Sequence, residues 1–183
     1  MALTSMLKFT NRSLLFVLVL SVTTFSGIAS SSKELKETHM SMYLQDFIAG
    51  PNVTDIPVAG VAGKLWLFNQ FGTVYVTDNP ITIGPSSNSA SMGRAQGVFV
   101  SSALDGLSGL VLFSVGFTNK EYNGSTLEIQ GNSKILEPVR ELSVVSGTGK
   151  FRFARGYATC ETYSVDIPIG YSVIRFNVTV EHR

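Results

Sequence analysis

An aspartate in the first predicted strand is the residue whose position most strongly suggests chemistry. Between His39 and Ile48 the residues alternate so that one strand face carries Met40, Met42, Leu44, Asp46 and Ile48. A carboxyl on an apolar face is costly to ionise unless it is paired, so it tends to retain a proton that it can donate. Asp46 is therefore a candidate acid, and a structural ion pair with an arginine is the alternative interpretation.

Two arginines in a second segment raise a similar question. Residues 139–160 read as two strands joined by the turn SGTG at 146–149, and the second strand carries Arg152 and Arg155 among aromatic residues. An arginine that points into a barrel needs a partner, so this segment indicates either a polar site or a structural ion pair. The sequence leaves the roles of both arginines open.

The remaining reactive residue types exclude several kinds of site. Cys160 is the only cysteine among 183 residues, so no intramolecular disulfide can form, and we interpret it as a small buried residue rather than a nucleophile. His39 and His182 lie near opposite ends of the mature chain, without a ligand-spaced cluster of acids, and this predicts that no metal is bound. There is no Ser-His-Asp arrangement and no glycine-rich phosphate loop, and we expect no cofactor.

Composition indicates an all-β domain. The net charge of +1 gives no electrostatic basis for binding nucleic acid or an anionic membrane. The 17 glycines and the abundance of valine, isoleucine, threonine and phenylalanine are typical of a sheet protein rich in turns.

Eight strand-like segments with short connections predict a single eight-stranded antiparallel β-barrel, because closure removes exposed edges. In the last segment Ile174 and Phe176 face one way, whereas Arg175 and Asn177 face the other. The predicted strands are residues 39–48, 71–78, 96–102, 110–117, 125–130, 136–145, 150–163 and 172–181.

The first residues form a separate unit. Lys8 and Arg12 precede an apolar run, and small residues follow at 27–29, so residues 1–29 are predicted to be a secretory signal peptide and residues 30–183 the barrel domain. Secretion to the extracellular space makes glycans expected at the sequons of Asn52, Asn123 and Asn177.

The same segments resemble the plant dirigent proteins. The likeness covers roughly residues 39–181 and is carried by seven pieces in family order: FGTV at 71–74, DNPIT at 78–82, GRAQG at 93–97, YNGSTL at 122–127, VRE at 139–141, SGTG at 146–149 and FRFARGYA at 151–158.

This resemblance implies a secreted, apoplastic barrel of the allene-oxide-cyclase-like or lipocalin-like kind that assembles as a homodimer or homotrimer. Family members hold phenoxy radicals, which an external laccase or peroxidase makes from coniferyl alcohol, and steer their coupling to one lignan stereoisomer. A related branch contains pterocarpan synthases, which dehydrate an isoflavanol through a quinone methide and close a ring. A defence-related wall or carbohydrate-binding module is a third implied class.

Residue by residue, the resemblance matches Asp46 to the acid of the family's His-Asp pair, with Gln45 in place of the histidine. Arg140 matches the family arginine, and Phe99 replaces a tyrosine. Lignan-forming members carry an acid where this chain has Ser133, and they carry two bridging cysteines that this chain lacks. These departures resemble the branch that contains pterocarpan synthases.

Together these observations give a hypothesis for the site. Asp46, beside Met42 and Leu44, would protonate the leaving hydroxyl in a dehydration or assist ring closure in a coupling reaction. Arg140 would stabilise the phenolate or quinone oxygen, and Phe99 and Phe113 would form aromatic walls. Assisted radical coupling is the main functional expectation, and a dehydrating, cyclising lyase is the alternative.

Overall fold

The alternating sequence produces nine strands and no α-helix in residues 34–183, the part of the chain that this computed structural model describes. The predicted signal peptide lies outside the described residues. No helix in the described part is long and apolar enough to cross a bilayer. The strands are β1 (Lys36–Phe47), β2 (Asp55–Ala59), β3 (Val74–Thr82), β4 (Ser91–Val100), β5 (Ser108–Phe117), β6 (Thr126–Lys134), β7 (Val139–Thr148), β8 (Arg155–Asp166) and β9 (Tyr171–His182).

Eight of these strands close into an antiparallel barrel. The pairing runs β1-β9-β8-β7-β6-β5-β4-β3, and β3 then pairs with β1 to close the ring, while β2 lies beside the first half of β3. Alternate residues of each strand point inward, as in β9, where Phe176, Val178 and Val180 are buried. The predicted fold class is therefore confirmed.

One end of the barrel is sealed by aromatic rings. Phe151 lies 5.4 Å from Phe117, 5.0 Å from Tyr122 and 5.2 Å from His182, measured between ring centroids. These residues belong to the turns and strand ends at that end, where β5, β7 and β9 finish. The opposite end carries exposed apolar loop residues, including Leu104, Leu136 and Ile167, so access to the interior lies there.

The join between β1 and β3 is the weakest part of the ring, because only two residue pairs, Tyr43–Thr82 and Leu44–Ile81, connect the strands. Beyond them the segment before β2 fills the gap. The Thr54 N–H donates to the Phe47 carbonyl at 2.8 Å, and the Asp78 N–H donates to the Thr54 carbonyl at 3.0 Å. We call this join the seam.

Two local predictions, on the end of β3 and on the turn at 146–149, were wrong. The strand predicted to end before Asn79 and Pro80 continues to Thr82, because the nitrogen of Pro80 faces the seam, as that of Asp78 does, and no strand there needs its missing N–H. The glycines and prolines of residues 50–63 indicate a loop or an irregular edge, and this segment contains β2, an edge strand whose register with β3 shifts between Pro57 and Ala59. The turn predicted at 146–149 lies later, since β7 extends to Thr148 and a short 3₁₀ turn follows.

A buried amide reinforces the seam. The Gln45 side chain is completely buried, and its Nε2 donates to Thr82 Oγ1 at 2.7 Å, while its Oε1 accepts from the Tyr171 hydroxyl. The network therefore joins β1, β3 and β9 through one side chain.

Replacing Gln45 with leucine is expected to lower the free energy of unfolding by about 1–3 kcal/mol, because the Tyr171 hydroxyl loses its acceptor inside the protein. Urea unfolding measures this loss. The control is Gln130→Leu at an exposed position of β6, which should change stability little. Equal losses in the two variants would contradict the role given to Gln45.

Candidate active site

Two adjoining cavities occupy the open half of the barrel. The inner cavity has a volume of about 140 Å³, and the outer one, of about 390 Å³, lies among the loops of the open end. Both are lined by Asp46, Phe68, Arg140 and Ile174, so these four residues mark the passage between them. Together the cavities form one cup with its opening opposite the aromatic seal.

The walls of the inner cavity are mainly apolar and aromatic. Phe99 and Phe113 line it as expected, each with 9% of its surface exposed, and Phe113 meets Phe176 edge to face at 5.8 Å. Phe68, from the connection between β2 and β3, stacks on Phe99 with a centroid distance of 4.5 Å. Planar phenolic rings fit such a surface.

The two aliphatic residues expected in the site lie in different places. Leu44 lines the inner cavity. Met42 is not among the residues that line either cavity; it is 1% exposed and belongs to the buried core cluster. Met42 therefore lies outside the two cavities, because β1 carries this residue two positions deeper into the barrel than Leu44.

Asp46 lies at the end of the apolar face of β1 and lines both cavities. Its Oδ2 accepts a hydrogen bond from Ser172 Oγ at 2.9 Å. Its Oδ1 is shielded from solvent and receives no hydrogen bond from an amide, guanidinium or alcohol group of the described residues. The structural ion pair between Asp46 and an arginine is absent from residues 34–183.

A second acid, Asp55, lies beside Asp46. Because Thr54 is hydrogen-bonded to Phe47 across the seam, the residues flanking this contact, Asp46 and Asp55, meet within hydrogen-bonding reach. Asn79 Nδ2 donates to Asp55 Oδ1 at 3.1 Å, and the Thr54 hydroxyl donates to Asn79 Oδ1. Asp55 is thus held beside Asp46 and lines the same inner cavity.

The environment of Asp55 favours its protonated form. Burial raises the pKa of Asp55 to about 9, the negative charge of Asp46 and the hydrogen bond between the two carboxyls add to this rise, and the hydrogen bond from Asn79 opposes it. At neutral pH the pair therefore holds one proton and one negative charge.

Arg140 enters the same space from β7 and lines both cavities. Its Nη2 donates to Thr162 Oγ1 at 3.1 Å, and its Nε is buried with no acceptor among the described residues. The guanidinium therefore has donor capacity left for an oxygen of a bound molecule. Ser133, at the position of the acid in lignan-forming relatives, also lines the inner cavity.

Cys160 lines the inner cavity as a neutral thiol. Burial raises the pKa of Cys160 to about 12, although the nearby charge of Arg140 works in the opposite direction. A thiol with this pKa is a poor nucleophile at neutral pH. The structure therefore agrees with the interpretation of Cys160 as a small buried residue.

The two arginines of the β7–β8 region lie outside both cavities. Arg155 donates to the carbonyls of Val145 and Ala154, the latter at 2.9 Å, and Arg152 is exposed. Arg155 thus stabilises the connection between β7 and β8, which is a structural role.

The three sequon asparagines lie on the outside of the barrel. Asn52 and Asn123 are exposed in loops. Asn177 lies on the outer face of β9, as predicted, and its Oδ1 accepts from Ser41 Oγ at 2.6 Å.

Two site residues were missed by sequence reasoning. Asp55 opens a five-residue strand inside a segment rich in glycine and proline, and only the alternation of Ile56 and Val58 after it hints at a strand. Phe68 lies in a connection without periodic pattern, and its place against Phe99 follows from the path of the chain in space. No local signal could have identified its role.

Comparison with known proteins gives a consistent result. A family model for dirigent-like proteins matches residues 37–181. The chain is 40% identical over 172 residues to pterocarpan synthase 1 of Glycyrrhiza echinata, a match covering 90% of this chain and 92% of the relative. It is 37% identical over 171 residues to dirigent protein 1 of Arabidopsis thaliana, with 92% of both chains covered. The solved structure of the pterocarpan synthase dirigent protein GePTS1 superposes with a TM-score of 0.77 at 41% identity, covering 81% of this chain and 92% of that one.

The carboxyl pair makes a prediction about stability. The pKa of Asp55 is 3.8 in an unfolded chain and about 9 in the folded protein, so between these values the folded state binds the extra proton. Stability from this group is therefore greatest below pH 3.8 and falls as the pH rises toward 9. The side-chain amide in Asp55→Asn can still accept from Asn79 and donate to Asp46. It has no proton to lose, so the variant should not lose stability in this way as the pH rises.

We expect Asp55→Asn to gain at least about 1.4 kcal/mol of unfolding free energy at neutral pH, the equivalent of a tenfold change in proton affinity. Urea unfolding measured across the range from pH 3.8 to pH 9 checks this. Asp78→Asn, which removes the partner of Arg94 in an exposed ion pair, is the control and should show no comparable gain. Parallel stability curves for Asp55→Asn and the parent would refute the shared proton.

Proposed function

The chain belongs to the dirigent family, and on that premise we propose that it is a lyase that removes water from an isoflavanol and closes the ring of a pterocarpan. The observation that carries this proposal is the meeting of Asp46 and Arg140 in one cavity whose other walls are mainly apolar and aromatic. The similarity to pterocarpan synthase 1 of Glycyrrhiza echinata supports the same reaction class.

The chemistry of the reaction matches the distribution of charge in the cup. Loss of a benzylic hydroxyl from a phenol leaves a quinone methide, with negative character on its oxygen and positive character on its benzylic carbon. A fixed cation at the oxygen and a proton donor at the leaving hydroxyl both lower the barrier, and a low-dielectric site strengthens each effect. Arg140 supplies the cation, and the carboxyl of Asp46, on a different strand of the barrel, takes part in the proton transfer at the benzylic end.

Arg140 acts at the oxygen end. Its Nε and the remaining guanidinium hydrogens are free to donate, because its one hydrogen bond within the described residues runs from Nη2 to Thr162. A carboxylate partner would neutralise the cation, and none binds it in residues 34–183. The guanidinium can therefore hold the ring hydroxyl of the substrate as a phenolate.

The carboxyl of Asp46 acts at the benzylic end, where one proton must travel from the attacking phenol to the departing hydroxyl. Ser172 fixes the orientation of this carboxyl through Oδ2. The stacked rings of Phe68 and Phe99 would hold the planar substrate between the two ends.

Stereoselective coupling of phenoxy radicals, with an external laccase or peroxidase as oxidant, is the second candidate. Family membership supports it, but the details of the cavity favour the lyase. Where lignan-forming relatives carry an acid, this chain has Ser133, which lines the inner cavity without a charge.

The proposal also covers where the protein works and how it assembles. The signal-peptide pattern of residues 1–29 and the exposed sequons at Asn52 and Asn123 support a glycosylated, apoplastic protein. Exposed aliphatic residues on the outer faces of β3 and β5, such as Val76 and Leu112, support assembly into a homodimer or homotrimer.

A pair of assays tests the reaction class. The purified protein is given a racemic isoflavanol without oxidant, and pterocarpan formation is followed by chiral chromatography. In parallel it is given coniferyl alcohol with a laccase, and the enantiomeric excess of the lignan is measured. We expect turnover of one isoflavanol enantiomer and a racemic lignan; enantiomeric excess only in the second assay would overturn the lyase.

Variants of the two charged residues test the mechanism. Asp46→Asn is expected to lower kcat by about 10²–10⁴-fold, the usual contribution of a positioned acid or base. Arg140→Leu is expected to lower kcat by about 10²–10³-fold, as for loss of an oxyanion donor, with partial recovery in Arg140→Lys. Asp78→Asn, on the outside of the barrel, is the control and should keep parental rates. Full activity in folded Asp46→Asn or Arg140→Leu would discard the corresponding role.

A further inference from the structure

We propose that Asp55 is a second catalytic carboxyl, which delivers its proton to the leaving hydroxyl while Asp46 takes the proton of the attacking phenol. This inference rests on the lyase reaction proposed above and assigns the two proton transfers to two different groups. Asp55 is reached by the substrate, because it lines the inner cavity together with Asp46 and Arg140.

The hydrogen bonds around the pair leave one place for a shared proton. Ser172 occupies Oδ2 of Asp46, and Asn79 occupies Oδ1 of Asp55. Oδ1 of Asp46 is buried and has no other donor among the described residues. A proton on the remaining oxygen of Asp55 supplies the hydrogen bond that this atom lacks, and the whole arrangement is then satisfied.

The seam holds the two carboxyls next to each other. The backbone bonds from Thr54 to Phe47 and from Asp78 to Thr54 fix the start of β2 against both β1 and β3. Asn79, which is 3% exposed, accepts a hydrogen bond from the Thr54 hydroxyl. Its own amide nitrogen donates to Asp55 and so orients that carboxyl. These bonds fix the backbone that carries both residues, and Ser172 and Asn79 orient the two carboxyls, so the pair is preorganised.

At the benzylic end the proton transfers balance with this pair as acid and base. The ring phenol gives its proton to solvent as it binds beside Arg140 as a phenolate, and the product takes a proton from solvent on release. The Asp55 proton passes to the benzylic hydroxyl, the carbon–oxygen bond breaks with its electron pair leaving on water, and the phenolate becomes the quinone oxygen. The second phenol then attacks the benzylic carbon, its proton passes to Asp46, and the electron pair returns to the ring oxygen at Arg140.

The repulsion between the carboxyls serves both halves of the cycle. With one proton the pair carries a single negative charge and contains an acid. After that proton has been donated, two carboxylates lie in contact in a mostly apolar cup, and the pair becomes a strong base at the moment when the attacking phenol must lose its proton. A proton shift from Asp46 to Asp55 across their hydrogen bond then restores the starting state.

The pair also predicts a pH dependence. The titratable or polar groups around it are Asp46 from β1, Tyr75 and Asn79 from β3, Arg140 from β7 and Cys160 from β8. Burial, followed by the charge of Asp55, raises the pKa of Tyr75, and burial raises that of Cys160 to about 12. We therefore expect the rate to fall as the pH rises through about 9, where the pair of Asp55 and Asp46 loses its proton.

The experiment compares the parent with Asp55→Asn, Asp55→Glu and the control Asp78→Asn in the isoflavanol assay over a range of pH. We expect Asp55→Asn to lower kcat by about 10²–10⁴-fold with little change in KM, because it removes the acid but not the walls. Asp55→Glu should recover part of the rate, and the parent should lose activity through about pH 9. Parental kcat and an unchanged high-pH limb in Asp55→Asn would overturn the inference while leaving the lyase intact.

A second measurement keeps the two proposals separable. Carbon-13 NMR of protein labelled at the aspartate carboxyls follows each carboxyl through its titration, without substrate. We expect one resonance that titrates near pH 9 and that is missing in Asp55→Asn. If this resonance is present and the parent does not convert the isoflavanol, the lyase is wrong; if both aspartates titrate in the ordinary acidic range, the shared proton is wrong whatever the activity.

Discussion

The closure of the barrel between β1 and β3 is the constraint on which the site depends. Only two residue pairs join these strands directly, and the ring is completed by Thr54, just before β2, which is hydrogen-bonded to both. The same contacts that close the ring place Asp46 and Asp55 side by side. Fold and chemistry are therefore coupled at the seam, since a chain that failed to close there would lose both its sheet continuity and its carboxyl pair.

The low polarity of the cup strengthens the electrostatic interactions that its few charged groups can make with a bound molecule. Arg140 lacks a carboxylate partner within the described residues, and the single negative charge of the aspartate pair is stabilised by Ser172 and Asn79 rather than by a cation. In water such groups would interact weakly with a phenolic guest, whereas among Phe99, Phe113 and Phe176 their fields are less screened. A quinone methide, polarised between oxygen and carbon, is the kind of guest that gains from charges held at both ends.

Much of the fold could be predicted from local pattern, and the reason is the pleat of the strands. Alternation in β9 predicted which of its residues face inward, and Asp46 was recognised because it interrupts an apolar face. The length of β3 was mispredicted because Pro80 normally ends a strand, and only the gap at the seam explains why it is tolerated here. That gap is a property of the closed ring and leaves no mark in the sequence around Pro80.

The site could be predicted only in part, for the same reason. Asp46, Arg140, Leu44, Phe99 and Phe113 were named from pattern and resemblance, and all five line the inner cavity. Asp55 was missed because its importance arises from a contact across the seam, and Met42 was included because period-two reasoning gives the facing of a side chain but not its depth. Depth along a barrel follows from strand register, which a single sequence does not reveal.

The buried polar groups of the barrel differ in what they do for stability, and this difference separates structure from function. Gln45 is fully buried, has a partner at both ends of its amide and strengthens the seam. Asp55 is held in place just as firmly, yet its raised pKa means that burial beside Asp46 opposes folding at neutral pH. Apolar or amide side chains could fill the same position at lower cost. A carboxyl kept there against that cost, in the wall of the cavity that also contains an unpaired arginine, is what an acid–base site requires and what a purely structural barrel does not.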